Sequence, residues 1–168
     1  KAIPDYLFAG ATALETIVIP DTVASIGSYS FSECSALKNV TIPDSVTNIK
    51  NGAFYECTSL ETITIPDSVT EIGAWAFSGC KNLSSVTLSK GVVDLQLKAF
   101  SECTKLTSII IPKSLEKCDG AFSGNGPFYK SGLSEVKFEN GIKAIPDYLF
   151  AGATALETIA IPDTVTSV

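Results

Sequence analysis

A thiolate can bind a metal ion or act as a nucleophile, and four cysteines recur here every 23 residues: Cys34, Cys57, Cys80 and Cys103. Thiolate zinc sites draw paired Cys-x-x-Cys ligands to one point, whereas an even spacing lines the sulfurs up in a column. The flanking units have Ala11 and Ala153 at this position, so the slot accepts a small apolar side chain. We expect buried free thiols, also for Cys118, which stands where other units have Ile49 or Ile72. A disulfide between neighbouring turns would need Cβ atoms within about 4.5 Å.

Acidic residues also recur once per unit, at Asp21, Asp44 and Asp67. Calcium takes six to eight oxygen ligands, and later units carry Lys90 and Lys113 close to this row, so we interpret the aspartates as turn-capping residues. Hydrolysis by paired carboxylates needs one raised and one ordinary pKa in a cleft, and the pattern shows no such asymmetry. Without histidine, a hydroxyl or thiol nucleophile has no imidazole base. The sequence predicts no catalytic residues, no metal site and no cofactor, hence no enzyme.

Composition narrows the class of protein further. The chain has 168 residues, of which 45% are hydrophobic, with a net charge of −6 and a pI near 4.6. A core can form at this size, but an acidic chain without arginine lacks the phosphate-neutralising charge that drives nucleic-acid binding. No apolar run reaches the roughly 18 residues of a membrane helix, and no signal peptide is recognisable. We expect no nucleic-acid partner and no membrane span.

A repeat positions these residues. The third and fifth residues after a recurring leucine are apolar, as in Ile63 and Ile65, with polar residues between them, as in Thr64. This period of two predicts one strand per unit, with one face buried. The leucines are 23 residues apart except for one 27-residue step, and they are Leu14, Leu37, Leu60, Leu83, Leu106, Leu133 and Leu156.

A proline turn and a return segment complete each unit. Proline follows most strands, as at Pro43 and Pro66, and ends them by removing a ladder donor. The return is too short to bury its apolar face alone, so the units must stack with parallel strands about 4.8 Å apart. We predict an α/β repeat solenoid, right-handed, with a parallel β-sheet on one face and short turn or helical segments on the other. One core phenylalanine per unit comes from Ala53-Phe54, Ala76-Phe77, Ala99-Phe100 and Ala121-Phe122.

The pattern L-x-x-[IV]-x-I-P-[DK]-[ST]-V-x-x-I-x-x-x-A-F-x-x-C-x-x resembles the BspA-type leucine-rich repeat. It covers residues 1–168, which we expect to form a single leucine-rich-repeat solenoid domain with partial repeats at both ends. The unit at Leu133 departs from it in lacking proline and cysteine, and the unit at Leu106 in gaining four residues. The resemblance implies a non-enzymatic bacterial protein, on the cell surface or secreted, that mediates protein-protein interaction or adhesion. Its implied partners are extracellular, for example host matrix proteins such as fibronectin or fibrinogen.

The sequence also contains a second repetition with a much longer period than the 23-residue repeat. Residues 1–23 and 143–165 differ only at Val18, where the second copy has Ala160. We infer a fragment of a longer array built from 142-residue super-units. Duplication of a whole super-unit favours an alternative function, in which the chain is a structural spacer or stalk without a ligand of its own. Because a solenoid cut within the array exposes apolar edges, we also expect weak end-to-end self-association.

The outward residues of the predicted strands are the candidate partner-binding surface. They are mostly uncharged and carry hydroxyl groups, which suits a protein or glycan partner, although β-propensity alone also selects threonine. Carbohydrate binding would need aromatic residues in these rows, and there are none. The candidates on this surface are Thr16, Asn39, Thr41, Thr62, Thr64, Ser85, Thr87 and Ser108.

The 27-residue unit contains an insertion, residues 124–132, with two adjacent aromatic residues. Loops on rigid scaffolds often bind partners, so Tyr129 joins the candidate contacts. We expect Phe128 to fold back into the core, because burial of its apolar area is favourable. Trp75 stands at a variable position of the repeat, where we expect an exposed side chain.

Overall fold

The computed structural model describes residues 1–119 and 125–167. Their regular structure consists of short strands, because each unit alternates apolar and polar residues only over a few positions before proline or glycine. The strands are β1 (Ala2–Ile3), β2 (Thr16–Val18), β3 (Ser25–Ile26), β4 (Asn39–Thr41), β5 (Asn48–Ile49), β6 (Thr62–Thr64), β7 (Glu71–Ile72), β8 (Ser85–Thr87), β9 (Asp94–Leu95), β10 (Ser108–Ile111), β11 (Lys117–Cys118), β12 (Glu135–Phe138) and β13 (Thr158–Ile159).

All the strand pairs are parallel and join successive coils. The predicted strands form a four-stranded sheet, β2-β4-β6-β8, and a three-stranded sheet, β10-β12-β13. A second layer, β1-β3-β5-β7-β9-β11, lies on the return side of the coils. In this layer Ile3 pairs with Ile26, and Ile26 pairs with Ile49. Equivalent residues of successive coils therefore lie side by side, as a stacked solenoid requires.

The core is built from columns of identical side chains. Leu37, Leu60, Leu83, Leu106 and Leu133 are completely buried, which confirms the leucine phase for these coils. A second column consists of stacked phenylalanine rings, whose centroids lie 5.2 Å apart between Phe54 and Phe77 and 5.1 Å apart between Phe77 and Phe100. Each ring covers the next, so no coil buries its apolar side chains without its neighbours.

The expected helical return is wrong, because the described residues contain no helix. A helical N–H bonds to the carbonyl four residues back, whereas here the Phe31 N–H donates to Ala53 O (2.8 Å) and the Phe54 N–H to Ala76 O (2.7 Å). These bonds join neighbouring coils. Left-handed backbone also interrupts the return, with φ of 53° at Tyr29 and 59° at Glu33, and such residues cannot continue a right-handed helix. The return is therefore made of turns and the second sheet.

The 27-residue unit keeps one sheet and interrupts the other. β10 pairs with β12 over four residues, the full length of both strands. In contrast, β11 is the last strand of the second sheet. The ladder between β10 and β12 therefore stays in register across the longer unit, whereas no strand of the second sheet follows β11 in the described part of the chain.

Phe128 takes the place of the expected phenylalanine in the ring column. It is completely buried, and its ring centroid lies 5.8 Å from that of Phe100 and 6.0 Å from that of Phe150. This confirms that the inserted aromatic folds back into the core. The predicted Ala121-Phe122 step and Gly124 of the insertion lie outside the described residues.

Candidate functional site

The outward residues of the strands form one surface, here called the strand face. Every one of them is exposed, whereas the inward Val40, Ile63 and Ile109 between them are buried. The register of the parallel strands places candidate residues of neighbouring coils side by side, for example Thr64 beside Thr87. The strand face consists of Thr16, Val18, Asn39, Thr41, Thr62, Thr64, Ser85, Thr87, Ser108, Ile110, Glu135, Lys137, Thr158 and Ala160.

The hydroxyl groups of the strand face have no partner within the described residues, whereas those of the turns do. Ser45, Ser68 and Ser114 follow the strand-ending prolines and donate to carbonyl oxygens of the preceding coil at 2.7, 2.6 and 2.8 Å. The corresponding bonds are absent at Thr16, Thr41, Thr62, Thr64, Ser85, Thr87 and Ser108. The turn hydroxyls hold the coils together, and the strand-face hydroxyls keep their hydrogen-bonding capacity for another molecule.

A seam divides the strand face, because β8 and β10 belong to different sheets. It coincides with a changed turn, Ser89-Lys90-Gly91, where neighbouring units have proline, an acid or lysine, and serine. A Cβ atom at Gly91 would overlap the Asp67 carbonyl oxygen, so only glycine allows this close approach to the previous coil. The Ser89 hydroxyl donates to Pro66 O at 2.8 Å, which replaces the turn bond that serine makes elsewhere.

A cleft of about 470 Å³ opens at this seam. Ile110 projects from the strand face into solvent with 59% of its surface exposed. Among the charged residues at the cleft, Glu139 accepts the Lys113 N–H at 3.0 Å, and Asp67 accepts the Lys90 N–H at 3.2 Å. The volume is within the range of ligand pockets, and the apolar lining with polar groups at its edge is typical of them. The lining includes Thr64, Pro66, Thr87, Leu88, Ile110 and Pro112.

Tyr129 does not lie in the strand face. It is half-buried on the return side, where the Lys98 and Lys130 ammonium groups lie 4.7 and 5.2 Å from its ring centroid. Tyr129 is therefore a candidate contact separate from the strand face, because the insertion places this residue beside the ring column and not beside the strands. Trp75 is half-buried, and not fully exposed as its variable position led us to expect.

The regularly spaced cysteines are buried and free, as expected. Each thiol donates to the carbonyl oxygen of a phenylalanine in the preceding coil, for example Cys57 to Phe31 O and Cys80 to Phe54 O, both at 3.1 Å. Burial raises the pKa of Cys57, Cys80 and Cys103 far above the usual thiol range. The thiols are therefore kept protonated and unreactive at neutral pH. Within residues 1–119 and 125–167, no group of three or more potential ligands could hold a metal ion.

Cys118 and the aspartates differ from the expected pattern. Cys118 is only half-buried, and its thiol donates to Asp147 O at 2.6 Å. Burial, together with the negative charge of nearby carboxylates, raises the pKa of Cys118 to about 12. The turns are closed by backbone bonds, such as the Val46 N–H to Pro43 O at 3.0 Å, and Asp67 accepts the N–H of the following coil. The interpretation of Asp67 as a cap of its own turn is therefore wrong.

The seam cleft was missed in the sequence. The signal for it is present, since the strand face has an isoleucine at position 110 where the preceding coil has Thr87, and Ser89 replaces a proline. Each of these two substitutions, taken alone, is typical of the variation between units of a degenerate repeat. Only the backbone shows that both lie on one cleft.

Comparison with known proteins agrees with this architecture of parallel strands stacked coil upon coil. A family model described as the BspA type leucine rich repeat region matches the chain in six copies, over residues 1–126 and 122–168. The chain belongs to this family, which confirms the resemblance in its repeat pattern.

Solved structures with the same fold come from several bacteria. A leucine-rich repeat protein from Eubacterium ventriosum is 30% identical with a TM-score of 0.77, over 90% of this chain and 40% of that chain. A leucine rich repeat protein of T. pallidum is 29% identical with a TM-score of 0.73, over 98% of this chain and 72% of that one. A leucine rich cell surface protein from Faecalibacterium prausnitzii is 29% identical with a TM-score of 0.55, over 98% and 52%.

The chain therefore spans about half the length, or less, of the Faecalibacterium and Eubacterium proteins. A search of curated proteins found no match. In the part of the chain that the structure describes, no helix has the length and apolar character needed to cross a membrane.

Proposed function

We propose that this chain is a non-enzymatic interaction module that binds an extracellular protein through its strand face. The observation that carries the proposal is the set of exposed, unpartnered hydroxyl groups on a surface held rigid by parallel ladders. Such groups bind a partner without first breaking bonds to the protein itself. The seam cleft adds an apolar recess in which a partner side chain can be buried, as in the centres of protein interfaces.

The proposed setting is a bacterial cell surface or the extracellular space. Its support is the family, together with a structural relative named as a leucine rich cell surface protein. We further propose that residues 1–168 are one solenoid domain of a longer repeat array, because a single cluster of buried side chains runs from Ile3 to Leu149. Adhesion to host matrix proteins is the specific form of binding that we propose to test first.

The test is biolayer interferometry against immobilised fibronectin, fibrinogen and a glycan panel. The decisive variant carries Thr41→Lys, Thr64→Lys and Thr87→Lys on the strand face. A matched control carries Thr12→Lys, Thr70→Lys and Thr154→Lys, which adds the same charge at exposed threonines elsewhere. Both variants are first shown to unfold at the same denaturant concentration as the wild-type chain.

Saturable binding that the strand-face variant loses and the control keeps would support the proposal. Equal binding by both variants, or no binding by the wild-type chain, would contradict it. The second outcome favours a spacer function. That candidate has its own observation, the repetition of residues 1–23 at 143–165 with one difference.

A further inference from the structure

Three asparagines of the chain are followed directly by glycine, in the pairs Asn51-Gly52, Asn125-Gly126 and Asn140-Gly141. In such a pair the backbone nitrogen of the glycine can attack the side-chain amide carbon of the asparagine, because glycine has no side chain that hinders the approach. The attack requires that this nitrogen and this amide are free to meet. The three pairs are equivalent as sequence motifs, but the fold places them in different surroundings.

The first pair is held between neighbouring coils. The Gly52 N–H donates to Ala74 O at 2.8 Å, and Asn51 Oδ1 accepts the Ala74 N–H at 3.0 Å. Gly52 is also buried, and a Cβ atom there would overlap the ring of Tyr29. An attack by the Gly52 nitrogen on the Asn51 amide would break both bonds and leave the Ala74 carbonyl without its donor.

The second pair is held in a similar way. Gly126 is buried, and its N–H donates to Ala151 O at 2.9 Å. A Cβ atom at Gly126 would overlap the Tyr148 carbonyl oxygen, so the next coil lies directly against this glycine. The nitrogens of Gly52 and Gly126 are therefore both engaged in hydrogen bonds that join coils, and neither is available as a nucleophile.

The third pair lies in the exposed turn that follows β12. Asn140 and Gly141 are both exposed, and a Cβ atom at Gly141 would meet nothing within 4 Å beyond the adjacent residues. Within the described part of the chain, neither the Asn140 side chain nor the Gly141 N–H has a hydrogen-bond partner. The turn is closed by the Ile142 N–H, which donates to Glu139 O at 3.3 Å. The amide and the glycine nitrogen can therefore meet without first breaking a hydrogen bond of their own.

The repeat also shows that a carboxylate is tolerated at this place in the turn. Position 140 corresponds to Asp21, Asp44 and Asp67 of earlier coils, since each is the seventh residue after the recurring leucine. Conversion of the Asn140 amide to an acid therefore gives the residue type that these coils already contain. We expect the stack of coils to be kept in the product.

We propose that Asn140 is a site of spontaneous deamidation, and that the fold protects Asn51 and Asn125 from the same reaction. The Gly141 nitrogen loses its proton and forms a bond to Asn140 Cγ, while the bond from Cγ to Nδ2 breaks. The amide nitrogen leaves as ammonia and takes up the proton, so that a cyclic succinimide remains. Water then opens the ring at either carbonyl and gives aspartate or isoaspartate at position 140. The reaction needs only water, so it is independent of the function proposed above.

The product differs in charge at a defined place. Deamidation adds one negative charge to a chain whose net charge is −6. The new carboxylate lies next to Glu139, which lines the seam cleft, so the reaction makes the edge of that cleft more acidic. Because the ammonia is lost, the change is one-way and accumulates with the age of the molecule.

The test is mass spectrometry of the full chain after incubation in mildly alkaline buffer at physiological temperature. Cleavage after lysine gives the peptides 51–81, 118–130 and 138–143, each of which contains a single asparagine. The mass change from amide to acid in each peptide therefore reports one site. A parallel sample in concentrated guanidinium chloride removes the fold and with it the differences in surroundings. The matched control is Asn140→Gln, whose longer side chain forms the corresponding ring more slowly.

We expect Asn140 in the folded chain to react at least about tenfold faster than Asn51 or Asn125, since breaking one hydrogen bond before the attack lowers a rate by roughly that factor. In guanidinium chloride the three sites should react at similar rates. The Asn140→Gln variant should keep the circular dichroism spectrum of the wild type and show no mass change in peptide 138–143.

Two results would overturn the proposal. The first is a folded chain in which Asn140 reacts as slowly as the other two asparagines. The second is a difference between the sites that is as large in guanidinium chloride as in the folded chain, because it would assign the rates to the neighbouring residues in sequence and not to the hydrogen bonds of the fold.

Discussion

Two sets of hydroxyl side chains differ in their hydrogen bonds, those in the turn after a strand and those on the strand face. In the turn, Ser68 donates to Val46 O at 2.6 Å and so joins two coils. On the strand face, Thr64 lies only a few residues away, is exposed and has no such bond. The difference separates residues that the repeat needs for stacking from residues that it leaves available.

The largest effect on stability is expected in the phenylalanine column, where contacts between coils are most extensive. Phe77 is completely buried between the rings of Phe54 and Phe100. Phe77→Ala should lower the free energy of unfolding by about 3–5 kcal/mol, whereas Thr64→Ala should change it by about 0.5 kcal/mol or less. Urea unfolding followed by circular dichroism measures both. Similar losses of unfolding free energy in the two variants would contradict the claim that the stacked interior, and not the strand face, stabilises the fold.

The buried thiols predict how stability depends on pH. Burial raises the pKa of Cys57, Cys80 and Cys103 in the folded chain, so above pH 9 the unfolded chain loses protons that the folded chain keeps. Stability is therefore fully present below the unfolded thiol pKa of about 9 and falls as the pH rises above it. A Cys57→Ala, Cys80→Ala, Cys103→Ala variant should show a shallower decline between pH 8 and 11 in urea unfolding.

The chain offers a precedent for this variant, because Ala11 and Ala153 occupy the same slot in the flanking coils. Tyrosine and lysine titrate in both proteins and cancel in the comparison. An identical pH profile in the two proteins would show that the thiols are not held protonated by burial.

The sequence predicted the stacked interior better than the return side. The leucine phase and the small slot of Cys80 could be read because every coil imposes the same packing on them. The return repeats with the same period, but its left-handed backbone at residues such as Tyr29 and Glu33 is not visible in a pattern of residue types. The helical prediction failed for this reason.

The sequence predicted which side chains of the candidate site point outward, but it did not predict the shape of the surface they form. Alternation in segments such as Thr62–Thr64 fixes which side chains point outward. The seam depends on how closely Gly91 approaches the Asp67 carbonyl, and Tyr129 lies on the return side because the neighbouring Phe128 is part of the ring column. Both are three-dimensional adjustments between coils, which the spacing of residues does not record.

The turn hydroxyls should have a smaller effect than the rings or the thiols. Ser68→Ala leaves the Val46 carbonyl without its 2.6 Å donor, and we expect a loss of about 1 kcal/mol. Ser114→Ala removes the equivalent bond to Val92 O and should behave alike. Urea unfolding of each variant beside Thr64→Val gives the measurement, and a Ser68→Ala chain as stable as the wild type would contradict the structural role of the turn hydroxyls.

We expect the triple variant Thr41→Val, Thr64→Val and Thr87→Val to have the smallest effect on stability and the largest effect on binding. It removes strand-face hydroxyls but keeps the β-branched shape that favours strands. Its counterpart removes the turn hydroxyls of Ser45, Ser68 and Ser114 by substitution to alanine.

The most direct measurement of the strand-face function is biolayer interferometry of these two variants and the wild-type chain on the same fibronectin and fibrinogen surfaces, at a temperature where all three are folded. The account predicts that the valine variant unfolds like the wild type but binds at least about tenfold more weakly, since several hydrogen bonds of about 1 kcal/mol each are lost. The alanine variant should be less stable and bind normally. A valine variant that binds as tightly as the wild-type chain would contradict the claim that the strand-face hydroxyls recognise the partner.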